Sequence, residues 1–117
     1  MAKISRNQTR KHKHSRIRHH ISGTAERPRL NVFKSLQNFE AQLIDDVSNH
    51  TIAFVSTKHL ELQKGGNIEA AEQIGQVMGQ KINDLGVKTI VFDRGGYIYH
   101  GRVKAFAEAV RAKGVKF

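Results

Sequence analysis

Twelve consecutive residues, Phe92-Asp93-Arg94-Gly95-Gly96-Tyr97-Ile98-Tyr99-His100-Gly101-Arg102-Val103, gather three glycines, two arginines, two tyrosines and a histidine. Arginine supplies a planar fork of donors that matches phosphate. Tyrosine adds an aromatic face and a hydroxyl, and glycine lets the backbone approach another surface closely. The chemistry this suits is recognition of nucleic acid. Covalent chemistry is poorly served. Gly95-Gly96 lacks the Gly-Lys-Ser/Thr ending of a phosphate-cradling loop, the chain has no cysteine, and no serine has a nucleophile's context. Asp45, Asp46 and Asp93 are the carboxylates at strand ends. A two-metal nuclease needs several acids converging on one point, whereas adjacent Asp45 and Asp46 point apart in a strand and suit a turn. Asp93 is expected to pair locally with Arg94 or to cap its loop. The expectation is a protein that is not an enzyme and takes no cofactor and no metal.

Charge supports a polyanionic partner. The 117 residues carry 20 Lys and Arg against 10 Asp and Glu, a formal +10, which attracts polyanions at long range. The excess is concentrated. Residues 1–20 hold seven basic side chains (Lys3, Arg6, Arg10, Lys11, Lys13, Arg16 and Arg18) and no acid; the remainder holds thirteen basic against ten acidic. The chain therefore divides into a basic arm, residues 1–22, and one domain, residues 23–117. The large apolar residues of residues 1–20 are Ile4 and Ile17, with Ile21 just beyond, too few to offset ordering entropy, so the arm is expected to be largely disordered when free and to fold onto phosphates. His12, His14, His19 and His20 lack zinc-finger spacing and read as extra basic surface that strengthens below neutral pH. No apolar run approaches the roughly 18 residues of a membrane span. The start has no apolar core of a secretory signal, and a transit peptide ranks below a basic arm because the segment runs straight into the domain. A cytoplasmic protein is expected.

The elements that must position the loop follow from periodicity. Arg27 to Lys34 reads as a first strand, with Leu30 and Val32 on one side and Arg29, Asn31 and Phe33 on the other. That second face is either an ordinary solvated surface with one exposed ring or a surface for sugar, phosphate or unstacked base. Ser35 to Asn38 is a turn. Phe39 to Asp45 is a second strand alternating Phe39, Ala41 and Leu43 against Glu40, Gln42 and Ile44, and Thr51 to Thr57 is a third. Their short connections predict an antiparallel meander. After a polar loop, Lys58 to Gly66, Asn67 is a helix N-cap. Ala71, Ile74, Met78, Ile82 and Leu85 then recur at helical spacing, and Gly86 stops the helix. Gly75 and Gly79 suggest close packing against the sheet. Val87 to Phe92 is a fourth strand, parallel to a neighbour because a helix precedes it. A last helix carries Val103, Phe106, Ala107 and Val110 inward and ends at Gly114. The prediction is an α/β fold of order βββαβα: a mixed sheet, three strands antiparallel and one parallel, with helices packed against it. Ser22-Gly23-Thr24-Ala25 is read as the hinge between arm and domain.

Three blocks carry a family likeness: Arg16-Ile17-Arg18 with Gly23-Thr24-Ala25-Glu26-Arg27-Pro28-Arg29-Leu30; the pair Asp45-Asp46 with Ser56-Thr57; and Phe92 to Val103, closing with Gly114 and Phe117. Over nearly the whole chain the sequence resembles family eighteen of the bacterial large ribosomal subunit, and the last block is its most specific part. The resemblance implies a structural role: binding 5S ribosomal RNA, attaching it to 23S ribosomal RNA in the central protuberance, and sitting there as a monomer beside other large-subunit proteins. It implies RNA contacts from the arm (Arg6, Arg10, Lys11, Lys13, Arg16 and Arg18). It implies further contacts from the sheet (Arg27, Arg29, Asn31, Phe33, Ser35, Asn38, Gln42, Thr57 and Lys58) and from the loop (Arg94, Tyr97, Tyr99, His100 and Arg102). Phe33, Tyr97 and Tyr99 could each stack on a base or pack in the core. His12, His14 and His20 stand where that family is richer in Arg and Lys, so arm-dependent affinity is expected to weaken from pH 6 to pH 8. The readings from other classes are a magnesium-dependent RNA nuclease using Asp45 and Asp93, told apart by cleavage, and a DNA-packing protein, told apart by preference for duplex DNA.

Overall fold

A computed structural model describes residues 8–12, 22–60 and 67–117. Strands β1 (Arg29–Lys34), β2 (Phe39–Asp45) and β3 (His50–Ser56) precede helix α1 (Ile68–Asp84), strand β4 (Val91–Asp93) and helix α2 (Gly101–Ala112). The sheet order is β3-β2-β1-β4. β1 pairs antiparallel with β2 and β2 with β3, while β4 runs parallel to β1. This is the predicted βββαβα order and mixed sheet.

Alternation decides which face is buried. Leu30 and Val32 from β1, with Phe39, Ala41 and Leu43 from β2, turn to the helices and are buried. They meet Ala71, Ile74, Met78 and Ile82 of α1 and Val103, Phe106 and Val110 of α2 in one cluster. Phe39 and Phe106 lie at its centre, ring centroids 5.0 Å apart. Both helices cover this one face. The other face, carrying Asn31, Phe33, Gln42 and Glu40, is covered by neither α1 nor α2.

Local signals set the helix ends. The Asn67 side chain accepts from the Ala70 N–H at 2.8 Å, the N-cap the sequence predicts. Gly86 and Gly114 follow the two helices at positive φ. Gly75 and Gly79 serve a different contact from the one expected. A Cβ at Gly75 would stand 2.6 Å from both the Ala109 Cβ and the Phe106 carbonyl oxygen, and one at Gly79 would meet Lys113. The two glycines therefore bring α1 against α2, not against the sheet, because they lie on the flank of α1 that faces the second helix.

The fourth strand is shorter than its apolar run suggests. Val91–Asp93 alone pairs with β1; Thr89 instead bridges Lys116 near the C-terminus. A 3-10 turn, Thr57–Leu60, follows β3; the rest of the polar loop, residues 61–66, lies outside the described residues. Gly23 is pinned rather than hinge-like. Its N–H donates to Asp46 Oδ2 at 2.7 Å, its carbonyl accepts from the Asp46 N–H, and an added Cβ would meet the Arg29 backbone at 2.3 Å.

Candidate nucleic-acid interface

β1 and the loop after β4 build the site. Parallel pairing puts Asn31 opposite Asp93, so the chain leaves β4 onto the open face beside β1. The loop is then fastened at both sides. Asp93 is fully buried; its Oδ1 accepts from the Gly95 N–H at 2.9 Å and its Oδ2 from Arg29 Nη1 at 2.7 Å. The Tyr97 hydroxyl accepts from the Lys34 N–H at 3.2 Å and donates to the Lys34 carbonyl at 3.3 Å. Gly95, at φ 67°, lies so close to β1 that a Cβ there would stand 2.7 Å from the Val32 carbonyl oxygen. Any larger residue would lift the loop off the sheet.

Arg29 holds this arrangement from beneath. Its guanidinium bridges Asp93 and Asp46, donating to Asp46 from Nε at 3.0 Å and from Nη2 at 3.1 Å. Burial opposes its charge, but the hydrogen bonds and charges of Asp46 and Asp93 outweigh that, and its pKa is raised above the ordinary arginine value. The partner of Asp93 is thus Arg29 rather than neighbouring Arg94, while its loop-capping role is the expected one. Asp45 serves the turn as predicted, accepting from the Val47 N–H and the Ser48 hydroxyl. Asp46 does not; it ties Gly23 to β1. The two carboxylates of the nuclease alternative, Asp45 and Asp93, are each engaged in holding backbone.

Above this base lie the exposed groups. Phe33 is half exposed and Gln42 is exposed, with Asn31 between them and the loop. Residues 8–12 of the arm are helical, and Arg10 reaches the site. Its Nη1 donates to the Gly95 carbonyl at 2.9 Å, and its guanidinium carbon lies 4.7 Å from the Tyr97 ring centroid and 5.8 Å from that of Phe33. Arg10, Asn31, Phe33, Gln42 and Tyr97 therefore converge. Lys11 is exposed beside them in sequence.

A second group gathers at the end of β1. Arg102 Nη1 donates to the Ser35 carbonyl at 2.7 Å and to the Asn38 carbonyl at 3.4 Å, securing the β1–β2 turn. Lys34, which sequence reasoning missed, joins them: its Nζ lies 5.3 Å from the Tyr97 ring centroid. Partial burial, and then the charge of Arg102, lower its pKa. With His100 they border a cleft of about 730 Å³. Strict alternation assigns Lys34 to the helix-covered face, but it is the last residue of β1 and stays half exposed there; its terminal position was the available signal.

Other expected contacts lie elsewhere. Arg29 and Thr57 are buried; Thr57 Oγ1 donates to Asn38 Oδ1 and accepts from the Phe39 N–H. Tyr99 belongs to another cluster, edge-on to Phe92 and accepting from Arg111. Arg27, Lys58 and Arg94 are exposed around the domain. Arg6, Lys13, Arg16 and Arg18, with His14, His19 and His20, lie outside the described residues.

The fold and this face define a small α/β domain whose two long helices cover one side of the sheet, with polar and aromatic groups on the other. Residues 4–117 match the family described as ribosomal L18 of archaea, bacteria, mitochondria and chloroplasts. The chain is 53% identical to the large ribosomal subunit protein uL18 of Bacillus cytotoxicus, 52% to that of Oceanobacillus iheyensis and 50% to that of an Exiguobacterium species, in each case across 100% of this chain and 99% of the relative. The chain belongs to the ribosomal L18 family, whose members are structural rather than catalytic proteins.

Proposed function

We propose that the chain is a structural protein of the large ribosomal subunit that binds 5S ribosomal RNA through its open sheet face and helps attach it to 23S ribosomal RNA. Family membership and the relatives' names support the large-subunit role, with ribosomal RNA and ribosomal proteins as partners. The observation that carries the RNA reading is the convergence of Arg10, Asn31, Phe33, Gln42 and Tyr97 on a face that neither α1 nor α2 covers. Such a face suits structured RNA. A-form helices hide their base edges in a deep major groove, so proteins read shape, 2′-hydroxyls and unpaired bases, the last by stacking on aromatic rings. Lys34 and the exposed arginines around the domain add phosphate contacts, whose affinity falls with salt as counterions are released. The fixed loop lowers the entropy cost of binding, because Arg29, Asp93 and Lys34 already hold Gly95 and Tyr97 in place.

The test is a titration of the full chain with 5S RNA and with a scrambled RNA of the same length. Tighter binding to 5S RNA at every salt concentration is expected. Equal binding to both would leave a general polyanion binder and remove the 5S assignment; preference for duplex DNA would move it to a DNA-packing role.

A further inference from the structure

The group that Arg10 brings to the open face is flat, π-faced and rich in N–H donors, and the Tyr97 and Phe33 rings and the Gly95 carbonyl suit such a group. Tyr97 and Phe33 present rings to it at 4.7 and 5.8 Å, and the Gly95 carbonyl accepts from Nη1 at 2.9 Å. Beside them is a second acceptor. Asn31 Oδ1 is buried and accepts no hydrogen bond from any described residue. It is close to the same spot: a Cβ at Gly95 would lie 3.5 Å from Asn31 Oδ1 and 3.4 Å from Tyr97 Cε2. A buried acceptor left without a donor is destabilising, so this contact is incomplete with Arg10 in place.

We infer that Phe33, Tyr97, Gly95 and Asn31 form a seat for one unpaired guanine, and that Arg10 occupies this seat as a stand-in until RNA displaces it. The inference rests on the RNA-binding reading and adds its ligand and its regulation. Guanine repeats the chemistry of the guanidinium. It offers a π-face for the two rings, and its N1–H and exocyclic N2 amino group are neighbouring donors for two acceptors. The Gly95 carbonyl takes one and Asn31 Oδ1, unsatisfied by Arg10, takes the other. Uracil and adenine lack that pair of adjacent donors. Displaced Arg10 keeps its charge and turns to phosphate, so the exchange gives up two cation–π contacts and the bond from Arg10 to the Gly95 carbonyl, and gains a stacked base with both acceptors satisfied.

The experiment uses the full chain and three pentaribonucleotides of equal charge: pentauridine with a central guanosine, the same with inosine, which lacks only the N2 amino group, and the same with an abasic centre. Wild-type protein is expected to bind the guanosine oligomer about fivefold tighter than the inosine one, the order of one lost hydrogen bond to a buried acceptor. In Arg10→Ala, the ratio of guanosine to abasic affinity is expected to rise about threefold as the cover is removed; the loss of one charge affects both oligomers alike and cancels in the ratio. Equal binding of guanosine and inosine oligomers overturns the guanine seat, and an unchanged or smaller ratio in Arg10→Ala overturns the stand-in role. A second readout needs no RNA. In a Tyr99→Phe background Tyr97 is the single tyrosine, and Arg10→Ala is expected to increase its quenching by acrylamide; unchanged quenching contradicts the cover. Failure of these comparisons while 5S selectivity persists would defeat this inference and leave the wider RNA reading standing.

Discussion

Arg29 shows how one side chain can shape a surface without being exposed on it. It is 6% exposed and bridges Asp46 and Asp93, residues that fix Gly23 and Gly95 respectively. Its place in the first strand was legible from alternation, which puts it with Asn31 and Phe33. Its partners were not, since Asp93 lies 64 residues away and only the β1–β4 pairing brings it near. Replacing Arg29 by Met would remove the buried cation that Asp46 and Asp93 share. Breaking such a buried pair costs about 3–5 kcal/mol, so urea unfolding of Arg29→Met should shift to much lower denaturant; an unchanged midpoint would show the cluster carries little. Phe33 is the opposite case. At 50% exposure its ring contributes little to the core, so Phe33→Leu should leave the melting temperature within a few degrees. RNA affinity should still fall about five- to tenfold, the scale of one lost base stack. Parallel losses of stability and affinity would instead make Phe33 a packing residue.

The strands, caps and helix stops were readable because each rests on neighbours in sequence. Leu30 and Val32 alternate with Arg29, Asn31 and Phe33; Asn67 caps three residues ahead; Gly86 and Gly114 end helices at positive φ. What the sequence hid were contacts between elements. Gly75 and Gly79 announce a close approach but not to what, and the answer is α2. Gly75→Ala drives a methyl against the Ala109 Cβ and the Phe106 carbonyl, both 2.6 Å away. Neither can turn aside, so the helices must separate, at about 1–3 kcal/mol for an overpacked interior. Thermal unfolding should show a clear drop in midpoint. A neutral or stabilising Gly75→Ala, as helix propensity alone would give, would mean that the α1–α2 contact yields readily. β4 marks another limit of local reading: Val87 to Phe92 is apolar enough for a longer strand, but β1 offers partners to Val91–Asp93 alone.

At the scale of the whole molecule, charge and shape divide the work. Of the 20 basic residues, seven lie in residues 1–20, while the domain is nearly balanced. On the proposed RNA reading, the domain supplies the shaped surface and the arm supplies most of the attraction. Removing residues 1–20 should therefore flatten the dependence of log K on log salt, by up to about six for seven cations at 0.7–0.9 each, and leave the preference for 5S over scrambled RNA intact. Loss of preference along with the arm would place recognition in residues 1–20. The contact of Arg10 with Gly95, Tyr97 and Phe33 was invisible from sequence, because the arm has no period that says where it rests. Amide chemical-shift mapping on adding 5S RNA would show whether RNA meets the open sheet face and the loop after β4. Asn31 to Gln42 and Arg94 to Arg102 are expected to shift and broaden, while Gln80, Asn83, Asp84 and Glu108, at the exposed backs of the helices, stay in place. Shifts concentrated on those helix backs, with the sheet face unmoved, would contradict that expectation.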